Sequence, residues 1–152
     1  MIDSMDVLGA IALKLKEAFP EATIYDDFKP DKFKRPCFYV EYVTTTTRAG
    51  NYTTIEMTDY FTITYYGKRN SYQRVDKREQ MKCQRDTLQL FLVGYLIVKD
   101  RAPKVTASTA GYDDEAAYIE LQITYREDRP ITIEELPDIE SIEGSIELQK
   151  GL

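Results

Sequence analysis

The stretch PCFYVEYV, residues 36–43, decides the predicted fold. It combines aromatic and β-branched residues, which favour strands, with a proline at its first position, where a strand tolerates one. Phe38, Val40 and Tyr42 lie two residues apart, so we expect their side chains to share one face. The stretch therefore predicts a strand that buries one side in a core.

A second strand is expected to return beside the first. Residues 44–51 are polar and contain Gly50-Asn51, which we expect to form the reversal. Residues 52–66 then alternate apolar and polar side chains, the pattern of a strand with one buried face. Asp59 interrupts the apolar set, so we expect either a bulge there or an exposed outer half that projects beyond the core. The two runs predict a long hairpin.

The remaining elements lie on both sides of this hairpin. Leu8, Ile11 and Leu15 recur at helical spacing, which predicts a helix over residues 4–19. The other predicted elements are strands at residues 22–25, 95–98, 104–109 and 117–125, and a charged helix from residue 71 or 72 to residue 92, with Met81, Leu88, Phe91 and Leu92 on its apolar arc. Helices and antiparallel strands are thus segregated, so we predict an α+β domain over residues 1–126, a mainly antiparallel sheet with two helices packed against it.

The composition excludes several classes of protein. The chain has 152 residues, about one domain, and its longest nearly uncharged apolar run covers only residues 88–98, whereas a membrane span needs about 20 residues. Acidic residues near the start do not fit a signal peptide, so we expect a cytoplasmic protein, made and assembled in the cell. Cys37 and Cys83 form no metal-binding spacing and are expected to be reduced core thiols.

The absence of histidine argues against catalysis. The sequence contains no histidine, which removes the commonest general base and the commonest metal ligand. Adjacent acids occur at residues 26–27, 113–114 and 134–135, but none has calcium-loop spacing, and we interpret them as solvated turn residues. We therefore expect no enzyme activity, no cofactor and no metal.

Charge divides the chain into two parts. The formal net charge is −6. Residues 1–112 hold 17 basic and 14 acidic side chains, a net +3, and residues 113–152 hold 3 basic and 12 acidic ones, a net −9. A basic stretch stands out within the first part and consists of Lys68, Arg69, Arg74, Lys77, Arg78, Lys82 and Arg85. It has three interpretations: a solvated helix face, a nucleic-acid contact, or a charged interface to another protein.

Residues 127–152 differ from the rest and are predicted to form an extended, acidic C-terminal arm. They carry 8 acids and 2 bases and contain two prolines, with isoleucines spaced singly at positions 131, 133, 139, 142 and 146. Such a segment is either a disordered extension or an arm that orders on assembly, with short β-prone pieces that add to the sheet of a neighbour.

Several strings together resemble the tail terminator, or tail completion, family of tailed phages. These are PCFYVEYV at residues 36–43, YFTITYYG at 60–67 and AAYIELQITYR at 116–126, preceded by the helix that contains Leu8, Ile11 and Leu15. The resemblance covers about residues 5–126 and is closest to terminator-type proteins of prophages in low-GC Gram-positive bacteria.

The resemblance implies a virion structural protein at the head-proximal end of the tail. Such subunits form a ring, typically a homohexamer, that caps the tail tube, ends its polymerisation and provides the surface for head joining. Its implied partners are the tail tube protein, the head–tail connector and, in a contractile tail, the sheath protein; DNA would at most pass through the ring lumen. A neck or head-completion connector and a small nucleic-acid-binding regulator remain alternatives.

The interface residues that we predict fall into two groups. One consists of Tyr52, Arg69, Arg74 and Arg78, because tyrosine and arginine are enriched at protein interfaces. The other consists of the isoleucines of the C-terminal arm: Ile131, Ile133, Ile139, Ile142 and Ile146.

Overall fold

The computed structural model describes residues 2–26 and 28–128, which form two helices and one five-stranded sheet. In chain order the elements are α1 (Ser4–Ala18), β1 (Thr23–Asp26), β2 (Cys37–Ala49), β3 (Thr54–Tyr66), α2 (Lys77–Leu90), β4 (Lys104–Tyr112) and β5 (Ala117–Asp128). The predicted α+β class is confirmed. Neither described helix has the length and apolar character that crossing a membrane requires.

The sheet has the strand order β1-β2-β3-β5-β4. Short β1 runs parallel to β2, and every other neighbouring pair is antiparallel. The register aligns Val40 with Ile63 and Ile63 with Ile119, so the apolar positions of three central strands form one face. This face confirms the alternation expected for residues 52–66.

Both helices pack on that apolar face. Helix α1 begins at Asp3, whose carboxylate accepts from the backbone N–H of Asp6 while the Asp6 carboxylate accepts from the N–H of Asp3. The largest fully buried side chains belong to both layers and include Phe38, Phe61, Phe91, Ile11, Leu15, Ile63, Ile119, Leu121 and Ile123. The core therefore lies between the helices and one side of the sheet. Cys37 and Cys83 are free thiols buried in this domain.

The hairpin is longer than the sequence indicated. Residues 44–49, expected to be a polar connection, continue β2, because threonines favour strands as strongly as many apolar residues do. Gly50 and Asn51 form the predicted reversal, and both backbone N–H groups donate to the carbonyl of Thr54, at 3.1 and 3.2 Å. Most of residues 44–49 are exposed.

We expected a bulge at Asp59 or an exposed outer half of the strand, and Asp59 itself is fully buried. A bulge is present, but it lies across the hairpin in β2, where the pairing shifts between Tyr42 and Thr44. The Asp59 carboxylate accepts from the Thr45 hydroxyl at 2.6 Å and from the Tyr125 hydroxyl at 2.9 Å. These two donors replace water and allow a charged residue on the apolar face.

Helix α2 begins at Lys77, five or six residues later than predicted. Before it, the side chain of Asn70 accepts from the backbone N–H groups of Tyr72 at 2.8 Å and Arg74 at 3.1 Å, which holds a tight turn. Asp76 then caps the helix by accepting from the N–H of Arg78 at 3.0 Å. Asp76 is therefore the N-cap of α2, and the residues around position 71 lie in the turn before the helix.

The predicted apolar arc of α2 is confirmed in part. Phe91 is fully buried and Leu88 packs against the core, whereas Met81 and Leu92 are exposed. The buried residues within the helix are Gln80, Cys83, Gln84 and Thr87. The physical reason for the buried glutamines is that α2 packs beside the turn between β4 and β5, where their side chains meet backbone carbonyls. The Gln84 amide donates to two such carbonyls.

Two other boundaries differ from prediction. Residues 95–98 are not a continuous buried strand but form isolated pairings, Tyr95 with Lys104 and Val98 with Arg101. Strand β5 continues to Asp128, past the expected domain end at residue 126. Glu127 is therefore part of the fold, and its carboxylate accepts from the backbone N–H of Ile2 at 3.1 Å.

Candidate interaction surfaces

Arg69, one of the predicted interface residues, forms an ion pair within the domain. Its guanidinium lies 2.7 Å from Glu115, and Arg35 lies 3.0 Å from the same carboxylate oxygen. Arg35 also donates to the backbone carbonyl of Gly67 at 3.0 Å. The bond from Arg69, and then the charge of Arg35, hold the pKa of Glu115 below its usual range. These contacts tie the turn before α2 to the turn between β4 and β5.

The turn that presents Glu115 is itself well ordered by hydrogen bonds. The Asp113 carboxylate accepts from the Tyr118 hydroxyl at 2.7 Å and from the backbone N–H groups of Glu115 and Ala116, at 2.8 and 2.9 Å. These bonds lower the pKa of Asp113, and the bond to Asp113 raises the pKa of Tyr118 to about 12. Glu115 is thus held in place for Arg69.

Arg78 lies on an exposed cationic stripe of α2, which we define as Arg78, Lys82 and Arg85 together with Arg74 in the turn before the helix. At 100° per residue, positions 78, 82 and 85 point directly away from the buried residues 80, 83, 84 and 87. Lys82 lies 3.5 Å from Asp86. Among the residues that the structure describes, the three arginines lie in no ion pair.

Tyr52 lies far from the cationic stripe. It is 52% exposed and occupies the tip of the β2–β3 hairpin, whereas Arg69 follows the opposite end of β3. Thirteen residues of strand separate the two ends, a length of about 40 Å at 3.3 Å per residue. The structure therefore does not bring the four predicted side chains of the domain into one site. The predicted isoleucines, Ile131, Ile133, Ile139, Ile142 and Ile146, lie outside the described residues.

The side of the sheet that faces away from the helices forms an open sheet face, which sequence reasoning did not identify as a surface. No described helix or strand covers it, and the loop before β2 covers only its edge, where Phe33, Lys29 and Arg35 lie against the ring of Tyr66. The sequence did indicate this face, because every second residue of β3 is polar. The register aligns these polar residues with residues on the same face of β2 and β5. Side chains on this face include Thr44, Thr46, Thr62, Thr106, Tyr60, Tyr66 and Tyr118.

The centre of the open sheet face carries two carboxylates. The register places Glu41, Thr62 and Glu120 in one row across β2, β3 and β5, and both glutamates are exposed. Neither glutamate forms an ion pair with another described residue. A hollow of about 170 Å³ beside this row is lined by the bulge residue Val43, by Tyr60 and by Glu120 itself.

A third surface is apolar and follows α2. Leu92, Val93, Tyr95 and Ile97 are all exposed, and we call them the apolar ridge. Tyr95 and Ile97 alternate with Leu96 and Val98, which are buried, so the two exposed residues point to the same side. The sequence pattern of four consecutive apolar residues hid this division, because it is equally consistent with a fully buried strand.

Comparison with protein-family models finds a match over most of the chain. The model of the family described as phage tail terminator protein matches residues 6–135, a range that begins within α1 and includes α2 and all five strands. The chain belongs to the phage tail terminator family. A search of curated proteins finds no match.

Family membership gives the surfaces a context. A tail terminator is a structural protein of the phage tail, and it interacts with other tail proteins. The open sheet face, the cationic stripe and the apolar ridge of this terminator are therefore the candidate contact surfaces for such proteins. The family match also extends beyond the end of β5 at Asp128.

Proposed function

We propose that this protein forms a ring of identical subunits on the last ring of the tail tube, ends tube growth and provides the surface to which the head connector binds. The family match over residues 6–135 carries this proposal. We expect a homohexamer at the head-proximal end of the tail, in contact with the sheath if the tail is contractile. The role is structural rather than catalytic.

The placement of charge supports a ring. Neighbours in a closed ring meet through two different surfaces of the same subunit. The cationic stripe points away from the sheet on one layer of the domain, and the Glu41–Glu120 row lies on the other layer. Surfaces of opposite charge on opposite sides favour contact between one copy and the next, and they discourage contacts between like surfaces.

Tube capping tests the proposed function directly. Tail tube protein is polymerised with and without this protein, and negative-stain electron microscopy records tube length and tube ends. We expect ring-shaped caps at tube ends and an arrest of growth that is absent without the protein. A strict monomer that never binds tube ends would contradict the proposal.

Charge reversal tests the lateral contact in the same assay. The double variant Arg78→Glu and Arg85→Glu changes the stripe, and the double variant Lys16→Glu and Lys32→Glu changes the net charge equally at two other exposed lysines. We expect the first variant to lose ring formation in light scattering and the second to retain it. Equal assembly of both variants would show that the stripe does not join neighbouring subunits.

A further inference from the structure

The apolar ridge lacks a cover among the described residues. Leu92 is 72% exposed and Ile97 is 62% exposed, and Val93 and Tyr95 lie between them in the chain. Exposed apolar residues that are grouped together mark a contact site, whereas single ones do not. Four exposed apolar side chains within six residues make the ridge a candidate contact site for apolar side chains.

The chain leaves the described fold beside this ridge. At the end of β5, Arg101 donates to the Glu127 carboxylate at 2.9 Å and to the backbone carbonyl of Arg126. Arg101 also exchanges backbone hydrogen bonds with Val98, at 2.9 and 3.0 Å. Ile97 directly precedes Val98 in the chain. The Val98–Arg101 pair therefore connects the ridge to Arg126 and Glu127, close to the last described residue.

The C-terminal segment, residues 129–152, begins with the apolar residues that such a ridge needs. Ile131 and Ile133 follow Asp128 by three and five residues, a reach of at most about 10 to 18 Å at 3.3–3.6 Å per residue. In an extended chain these two isoleucines share one side, with Thr132 on the other. Ile131 and Ile133 are therefore close enough to the end of β5 to reach the apolar ridge and can present both side chains to it.

The charges agree with the same placement. The C-terminal segment holds 6 acids and 2 bases, and Glu134 and Glu135 directly follow Ile133. Lys104 is exposed and pairs through its backbone with Tyr95 of the ridge, and it lies in no ion pair with a described residue. A cation at the ridge thus meets the carboxylates that arrive with the isoleucines.

We propose that the apolar ridge is the docking site of the C-terminal segment of the same chain, with Ile131 and Ile133 packed against Tyr95 and Ile97. The segment is tethered at the edge of the ridge, so its effective concentration there far exceeds that of a segment from another molecule. From the sequence, one interpretation of this segment was an arm that adds to the sheet of a neighbouring subunit. The position of the end of β5 near the ridge favours docking on the same chain instead.

Tryptophan fluorescence tests this docking. The chain contains no tryptophan, so Ile97→Trp in the full-length protein introduces a single reporter on the ridge. We expect its emission at short wavelength, as for a covered indole, and a shift to long wavelength when Ile131→Asn and Ile133→Asn are added. The matched control adds Ile142→Asn and Ile146→Asn instead, and it should leave the emission unchanged. Both pairs lie outside the described residues, and each exchanges two isoleucines for two asparagines.

Three outcomes would overturn the proposal. One is an emission typical of an exposed indole in the Ile97→Trp protein itself. Another is an equal response to the two pairs of asparagine substitutions. The third is a short-wavelength emission that disappears on dilution to monomers, which would assign the ridge to the segment of a neighbouring copy. Short-wavelength emission that persists in the dilute monomer supports docking within one chain, whether or not the protein forms a ring at higher concentration.

Discussion

At the scale of single residues, Asp59 shows how the apolar face of the sheet admits a carboxylate. The bulge in β2 brings Thr45 opposite Asp59, and Tyr125 reaches the same carboxylate from β5. Burial and the hydrogen bond to Asp59 raise the pKa of Tyr125. Three strands are therefore joined by one buried group at the base of the exposed half of the hairpin.

Removal of this carboxylate should destabilise the domain. Asp59→Ala removes the acceptor of the buried Tyr125 hydroxyl and one partner of the half-buried Thr45 hydroxyl, and we expect a loss of about 1–3 kcal/mol in the free energy of unfolding. Urea denaturation measures it. Glu41→Ala, on the exposed side of β2, is the matched control and should change stability by less than about 0.5 kcal/mol. An equal effect of the two substitutions would show that the buried bonds contribute nothing.

Glu115 gives a pH dependence with a definite sign. Its folded-state pKa lies below the ordinary value of 4.5, so the stabilisation by Arg69 is complete above pH 4.5 and is lost as pH falls through the folded-state pKa. We expect Arg69→Gln to raise the pKa of Glu115, as measured by NMR titration of the side-chain carboxyl. Arg48→Gln removes a different arginine, one that pairs with Glu56, and should leave the Glu115 titration unchanged.

At the scale of elements, α2 docks through two amides in addition to its apolar contacts with the core. Gln84 donates to the carbonyls of Gly111 at 2.9 Å and Tyr118 at 3.0 Å, and Gln80 donates to the carbonyl of Asp113 at 3.2 Å. The pairing of β4 with β5 is irregular between Thr109 and Tyr112, and the carbonyl of Gly111 in this stretch accepts from the helix. The helix thereby closes the sheet at the point where strand pairing is interrupted.

A carboxylate at position 84 should undo this docking. Gln84→Glu replaces a donor with an acceptor that faces two carbonyl oxygens in a buried site, so we expect a loss of about 2–3 kcal/mol in the free energy of unfolding. Thermal unfolding followed by circular dichroism measures the change. Gln89→Glu, exposed on the same helix, is the control. If both variants melt alike, the two hydrogen bonds of Gln84 do not hold α2.

At the scale of the whole molecule, one layer of helices and one sheet leave three different surfaces for contact. The open sheet face is rich in threonine and tyrosine with carboxylates at its centre, the cationic stripe lies on the opposite layer, and the apolar ridge lies beside the end of β5. A subunit of an assembly needs chemically different surfaces, because each surface must bind its own partner and not the partners of the other surfaces. The same division explains why the predicted interface residues do not gather in one place.

The sequence by itself determined the fold class, most of the helices and strands, and the family. Strict alternation in β3 and β5 and helical spacing in α1 identify which residues enter the core, because these periods follow from backbone geometry alone. The strings at residues 36–43, 60–67 and 116–126 were enough to indicate the tail terminator family, which the match over residues 6–135 confirms.

Only the tertiary structure decided where polar groups and ambiguous apolar runs lie. Asp59, Gln80 and Gln84 are buried because donors and carbonyls from distant strands meet them, and no local pattern reports such partners. Residues 92–98 divide into exposed and buried side chains for the same reason. Burial is a property of the contacts between elements, and the sequence encodes those contacts only through the fold as a whole.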